Sequence, residues 1–415
     1  MKIKALNGFK DILPGEIQLW RHVEQVARDV LERFHFAEIR LPILEKTELF
    51  ARSIGSDTDI VEKEMYTFVD KQVTMRPEAT ASLMRAYIQH NMHAGGTVQR
   101  LFTIGPMFRH ERPQKGRLRQ FHQLDVEVLG SASARLDAEL MALGEHLFAE
   151  LGVPVSLEIN SLGCAECRPS YRSLLLAFID ERLDQLCDDC RRRSTTNPLR
   201  LLDCKKEACR AQVAAAPSII EHLCKPCSKH FGAVRQNLDS LKVGYSINKF
   251  MVRGLDYYVR TTFEFVTDEL GAQSAVCAGG RYDGLIGMLG GPQVPGIGFA
   301  LGLERLVLLI QEHDRLSAEP GGLDLFLAGL GPQAADYCFK LMHELRRGGL
   351  RVDMDLDAKS LKSQMKQADR AQAGHVLIIG DQELDNGRAP LRNMLSGEQA
   401  ELELGAAAIA GALIK

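Results

Sequence analysis

The stretch from Gln99 to Gly130, QRLFTIGPMFRHERPQKGRLRQFHQLDVEVLG, decides how the rest of the chain is read. Leu101 to Phe108 is mostly apolar, the texture of a buried strand. Arg109 to Gln120 then gathers Arg109, His110, Arg112, Lys115, Arg117 and Arg119, with Glu111 the single acid. The return strand alternates, with Gln123, Asp125 and Glu127 on one face and Leu124, Val126 and Val128 on the other, because successive strand side chains point to opposite sides. Such a hairpin, cationic at its tip and acidic on one face, suits a polyanion bound beside a small cationic or polar ligand. A solvated hairpin would alternate in the same way, so the residue order within the loop has to decide.

That order, FRHERPQKGRLRQFHQ, resembles motif 2 of class II aminoacyl-tRNA synthetases in the form found in histidyl-tRNA synthetases. Working outward, Leu19, Val23, Val26, Val30 and Phe34 form an apolar stripe that predicts an amphipathic helix from Gly15 to Phe34. The strand-like EIRLPILE follows, and its Pro42 confines it to an edge or a subunit contact. Helix, strand and proline together resemble motif 1, which implies a homodimer. EMYTFVDKQVTMRPEAT, Glu64 to Thr80, reads as a hairpin and a turn, with a helix starting near Thr80 on its own N-cap. The resemblance implies that Glu78, Ala79 and Thr80 belong to the histidine-binding segment; the family usually has glycine where Ala79 stands.

Met251 to Thr267, MVRGLDYYVRTTFEFVT, bends at Gly254 and then alternates as a strand, with Tyr258 and Glu264 on one face and Tyr257, Phe263 and Phe265 on the other. RGLDYY resembles the second histidyl signature. The resemblance implies that Arg253 sits at the α-phosphate and that the tyrosine pair, Tyr258 foremost, lines the imidazole pocket. CAGGRYDGLIGMLGG is glycine-rich, and Gly279-Gly280 leave room for close approach of a ligand to the backbone. PGIGFALGLERLVLLI alternates small with large residues along a strand and then opens a helix burying Leu303, Leu306, Val307 and Ile310. It resembles motif 3, with Arg305 as the ATP-contacting arginine.

The 415 residues allow two or three domains. With a net charge of −3, any nucleic acid is met by local basic patches and not by a global field. The absence of a signal-peptide pattern and of a bilayer-length apolar run predicts a cytoplasmic protein without membrane contact. Eight of the ten cysteines fall into four pairs close in sequence: Cys164/Cys167, Cys187/Cys190, Cys204/Cys209 and Cys224/Cys227. Two readings stand side by side, structural zinc sites or buried thiols that never meet a metal. This cysteine-rich region, with Arg191-Arg192-Arg193, falls where histidyl synthetases carry an insertion that leans on the tRNA acceptor arm.

HDRLSAEPGGL, His313 to Leu323, reads as a linker. Strands and helices then alternate, as in a small α/β domain with a partly parallel sheet. It resembles the anticodon-binding domain of histidyl, prolyl, threonyl and glycyl synthetases. Lys359, Lys362, Lys366 and Arg370 share one face of a helix predicted over 359–373 and are the candidate tRNA-phosphate contacts.

The expected fold is an α+β catalytic core built on an antiparallel sheet (1–163 and 242–320), a helical insertion (164–241) and a C-terminal α/β anticodon-binding domain (321–415). The resemblance implies a ligase that joins L-histidine to ATP, giving histidyl-adenylate, and passes histidine to tRNA(His), with Mg2+ accompanying ATP. Arg109 and Arg253 would meet the α-phosphate and carboxylate, and Arg117 and Arg305 the outer phosphates. Glu78, Thr80 and Gln123 would hold the ammonium group, and Glu127 and Tyr258 would read the imidazole. Two alternatives remain open, a non-catalytic paralogue that binds histidine and regulates its biosynthesis, and another class II synthetase.

Overall fold

The computed structural model describes residues 2–55, 58, 60–270, 275–312 and 322–413. The chain divides into two compact units, Met1–Leu316 and Ser317–Lys415. The linker reading over His313 to Leu323 falls almost entirely outside the described residues. No helix among the described residues is long and apolar enough to cross a membrane.

An eight-stranded sheet organises the first unit. Its order is Ala37–Glu38, Gln99–Phe108, Gln120–Leu129, Gly296–Gly302, Ala275–Arg281, Val259–Val266, Ser156–Ser161, Tyr245–Ile247. All neighbours are antiparallel except the two edge pairings. One face is apolar. Leu124, Val126 and Val128 are fully buried there with Phe263, Phe265 and Phe299. The helices Ile17–Arg33, Ala134–Glu150, Lys225–Leu241 and Leu303–Glu312 cover this face with Val23, Val30, Leu140, Leu147, Val234, Leu238, Leu306 and Ile310. Each such side chain contributes about 1.5–3 kcal/mol on burial, which fixes the strand register and turns the opposite, polar face toward solvent.

A buried polar knot ties these layers together. Asp137 accepts from Arg281 at 2.6 Å and from Thr261 at 2.6 Å, and lies 2.8 Å from His230 Nε2. Burial opposes its charge, but His230 and Arg281 outweigh it and hold the carboxyl below its ordinary range.

Several local expectations are corrected. EIRLPILE is not one strand: Ala37–Glu38 joins the large sheet, while Leu44–Lys46 joins a three-stranded sheet with Val73–Met75 and Tyr66–Phe68. Pro42 lies in the break, where its missing N–H leaves no ladder bond to lose. The helix Thr80–Gln89 is not capped by Thr80. Glu78 Oε1 accepts from Ala81 N at 2.9 Å, Ala79 is the N-cap residue, and the Thr80 hydroxyl points elsewhere. Gly279 serves the sheet and not a ligand: a Cβ there would strike Gly298 O at 2.4 Å and Phe299 at 2.6 Å.

The second unit has a five-stranded sheet in the order Val352–Met354, Leu325–Gly329, His375–Ile379, Arg388–Asn393, Gln399–Glu403. The first three are mutually parallel and the last two antiparallel. The helix predicted over 359–373 is shorter, Leu361–Arg370. Lys359 therefore precedes it, with its ammonium 2.8 Å from Asp357 and 3.5 Å from Asp355. Lys362, Lys366 and Arg370 remain exposed on one face, while Leu361, Met365 and Ala368 pack inward.

Candidate active site

The polar face of the large sheet is the floor of a cleft of about 1150 Å³. Strand alternation puts Gln123, Asp125 and Glu127 there, opposite the buried Leu124, Val126 and Val128. Glu78 and Thr80 enter from the start of the helix Thr80–Gln89. Thr80 donates to Glu127 Oε1 at 2.7 Å, and the Tyr282 hydroxyl donates to Glu127 Oε2. Gly298 faces Glu127 on the next strand, and a Cβ there would lie 1.6 Å from Glu127 Oε2. Glycine is thus required for the carboxylate to lie flat on the sheet.

Three carboxyl groups, of Glu78, Asp125 and Glu127, are buried on this floor. Burial pushes Asp125 up to about 8, the charge of Glu78 adds to the rise, and Arg76 and Arg109 only partly offset it. Burial also pushes Glu127 up to about 8 against the hydrogen bonds of Tyr282 and Thr80. Glu78 is raised too, by burial. Among the described residues, Glu78 Oε2, Gln123 Oε1 and Asp125 Oδ2 are buried without a hydrogen-bond partner. Unpaired buried acceptors are costly, and three converging on one cavity favour a ligand that brings N–H donors.

The rim is cationic. Arg109 is held by Pro77 O at 2.8 Å and lies over the Phe121 ring, and Arg117 pairs with Glu111 at 2.9 Å. Arg305 donates to Ala275 O from the helix Leu303–Glu312. Arg253 pairs with Glu264 at 2.6 Å, lies 5.2 Å from the Tyr258 ring centre, and leaves its Nε unpartnered. Burial opposes its charge, and Tyr258 and Glu264 outweigh it.

Tyr257 and Tyr258 both line the cleft, with ring centres 4.7 Å apart, whereas strict alternation assigned them to opposite faces. The strand begins only at Val259, and Arg260 takes a left-handed φ of 55° where the pairing shifts register. Alternation resumes beyond it, with Glu264 in the cleft and Phe263 and Phe265 in the core. The cleft thus gathers Arg109, Arg117, Arg253, Arg305, Glu78, Thr80, Gln123, Glu127, Tyr257 and Tyr258. Ala79 is buried behind it and is not part of the lining.

Sequence reading gave no role to Tyr282, although GGRYDG carries it, nor to Glu264 as the partner of Arg253. Nor did it connect the cysteine-rich region with the motif residues. In space Cys204 lines the cleft, as do Arg192, Arg193 and Arg200 of the same region, and Asn197 donates to Asp256 at 2.9 Å.

The family model for histidyl-tRNA synthetase matches residues 8–306, and that for the anticodon binding domain matches residues 324–409. Histidine–tRNA ligase of Desulfotalea psychrophila is 61% identical over all of this chain and 96% of that one. The ligase of Geobacter metallireducens is 56% identical over 99% of each. The crystal structure of apo Staphylococcus aureus histidyl-tRNA synthetase superposes with a TM-score of 0.83, 37% identity and full coverage of both chains. Neither the regulatory paralogue nor another class II enzyme accounts for ligase relatives matched end to end. The chain belongs to the histidyl-tRNA synthetase family, the ligases that activate histidine with ATP and charge tRNA(His) with it.

Proposed function

We propose that the cleft divides its substrates between two linings, the carboxyl-bearing floor taking L-histidine through hydrogen bonds and the arginine rim taking ATP. The observation that carries this reading is the set of unpartnered buried atoms. Glu78 Oε2, Gln123 Oε1 and Asp125 Oδ2 share one cavity with the unpartnered Nε of Arg253. Glu78, Thr80 and Gln123 hold the ammonium group, with Ala79 setting the turn that presents them. Glu127 and Tyr258 read the two imidazole nitrogens, with Tyr257 packed beside them. A site whose buried polar groups need a polar ring rejects apolar isosteres strongly.

In the first step the histidine carboxylate attacks the α-phosphorus. The new O–P bond forms as the bond to the β-phosphate oxygen breaks, and its electron pair leaves with pyrophosphate. Two anions must meet, so positioning and charge stabilisation supply most of the catalysis. Arg109 and Arg253 face the α-phosphate and carboxylate, and Arg117 and Arg305 the outer phosphates. Guanidinium groups suit this task because they stay charged and bond in pairs. Glu264 acts as a positioning residue through its ion pair with Arg253. Glu111 and Glu304 line the same cleft, so oxygen donors of the type magnesium takes lie beside the phosphate arginines. Bound there, Mg2+ would neutralise phosphate charge. In the second step a terminal-adenosine hydroxyl of tRNA(His) attacks the adenylate carbonyl and AMP leaves.

Lys362, Lys366 and Arg370 serve as tRNA-phosphate contacts on the second unit. Lys359 contributes less, because Asp355 and Asp357 already engage it. A homodimer is supported by Ile43, Leu44, Phe68 and Val69, all exposed on or beside the small three-stranded sheet. Apolar patches and free edges of this kind need cover. Sedimentation that finds an active monomer at assay concentration would remove this part of the reading.

The test of the catalytic reading is Arg253→His. Histidine keeps some polarity but loses the permanent paired charge. Pre-steady-state adenylate formation should fall about 10²–10³-fold, while transfer from preformed adenylate to tRNA falls less. Equal loss in both steps would make Arg253 a structural residue.

A further inference from the structure

We infer that the insertion holds two zinc ions in nested sites of four thiolates each, the outer formed by Cys164, Cys167, Cys224 and Cys227 and the inner by Cys187, Cys190, Cys204 and Cys209. The sequence offers four cysteine pairs and no rule for combining them. In space the first pair meets the fourth and the second meets the third. Within each set the four sulfur atoms all lie within 4.8 Å of one another. All eight are free thiols, so no disulfide accounts for the clustering.

The spacing matches one ion per set. A tetrahedral centre with Zn–S near 2.3 Å has S···S edges of about 3.8 Å. Cys164 Sγ lies 3.7 Å from Cys167 Sγ and 3.8 Å from Cys224 Sγ. Backbone donors point at sulfur in both sets: Cys224 N lies 3.1 Å from Cys167 Sγ, and Cys187 N lies 3.2 Å from Cys209 Sγ. Such N–H groups stabilise thiolates, the form that binds a metal. Four soft ligands at one tetrahedron select zinc over magnesium or calcium. An iron–sulfur cluster would spread its cysteines around several metal atoms.

The two sites do different work by position. The outer set sits where the chain leaves the large sheet after Ser156–Ser161 and where it returns through the helix Lys225–Leu241. It joins residues 60 apart in sequence and so clamps the neck of the insertion. The inner set lies within the insertion, and Cys204 brings it to the wall of the cleft with Asp203 and Lys205. The helix Asp188–Thr196 starts directly after Cys187 and ends one residue before Asn197, which bonds Asp256 of the Arg253–Tyr258 loop. The inner ion therefore braces the part of the insertion that touches that loop.

The test is metal content of the full-length chain purified under reducing, zinc-replete conditions. Two zinc per chain are expected, and the pairing is read by removing cysteines in fours. Replacing Cys164, Cys167, Cys224 and Cys227 by Ser should leave one zinc; replacing Cys164, Cys167, Cys187 and Cys190 should leave none. Any pairing other than the nested one leaves no zinc in the first variant. Should a variant fail to fold, the wild-type protein still decides. Its eight cysteines should resist alkylation until a chelator removes zinc, and Cys164, Cys167, Cys224 and Cys227 should become reactive as one group. Absence of zinc, one zinc per chain, iron in place of zinc, or exposure of Cys164 and Cys167 together with Cys187 and Cys190 would each overturn the assignment.

Discussion

The floor of the cleft and the insertion that forms part of its wall are neighbours, yet different physics arranges them. On the floor, Gln123, Asp125 and Glu127 are aimed by strand alternation and by the apolar partners Leu124, Val126 and Val128 beneath them. On the wall, the helices Asp188–Thr196 and Glu207–Val213 are too short to carry a long periodic stripe, and cysteines distant in sequence come together there. The lesson is that a pattern with a fixed period can be read locally, whereas cross-links between distant segments need the fold before they can be paired.

The sharpest way to break this comparison is at the joint between its two sides. Asp137 bonds Arg281 and Thr261 of the sheet and lies against His230 of the helix that closes the insertion. Removing one partner of a buried ion pair leaves an uncompensated charge, and Asp137→Ala should destabilise the first unit by about 3–5 kcal/mol. Denaturant unfolding followed by separate probes of the two units checks this. A change under about 1 kcal/mol would mean that the knot contributes little beyond packing.

The floor also makes a pH prediction that the wall does not. In the free protein Asp125 and Glu127 hold their protons until about pH 8, whereas unfolded carboxyls release theirs near pH 4. The folded state therefore binds more protons across this window, and stability without ligand falls as pH rises through it, by about 1.4 kcal/mol per pH unit per group. Asp125→Asn with Glu127→Gln should flatten that slope, and thermal melts at several pH values measure it. An unchanged slope in the double variant would show that these carboxyls ionise normally.

A smaller effect is expected on the second unit, where pattern alone selected the residues. Replacing Lys362, Lys366 and Arg370 by Ala should leave adenylate formation unchanged and flatten the salt dependence of tRNA binding, by about 0.7–0.9 in log–log slope for each phosphate no longer neutralised. Filter binding at several salt concentrations reads it, and an unchanged slope would make this face a solvated surface. Adding Lys359→Ala should change the slope little, because that ammonium is held by Asp357.

The large sheet, the charged hairpin, the arginines of the rim and the parallel-plus-antiparallel second sheet were all legible, because each depends on periodicity or a specific local motif. What was not legible came from departures from period. Pro42 divides one apparent strand between two sheets, and Tyr257 and Tyr258 share the cleft because both precede the strand that begins at Val259. The helix before Arg370 starts at Leu361 because Asp355 Oδ2 accepts from Lys359 N at 2.7 Å and holds the approach outside the helix. Tyr282 was missed because a lone tyrosine in a glycine-rich run carries no spacing signal, and only the strand pairing brings it to Glu127.

The central claim is the division of the cleft into an amino-acid floor and a phosphate rim. Calorimetric titration of L-histidine and of ATP, run separately on wild type, Glu127→Gln and Arg253→His, tests it most directly. Glu127→Gln should weaken histidine by about 1.5–3 kcal/mol, roughly 10- to 150-fold, and leave ATP within a few-fold of wild type. Arg253→His should leave both affinities nearly intact even though it slows adenylation. If Glu127→Gln weakened ATP as much as histidine, or left histidine binding unchanged, floor and rim would not be separate sites and the account would be wrong.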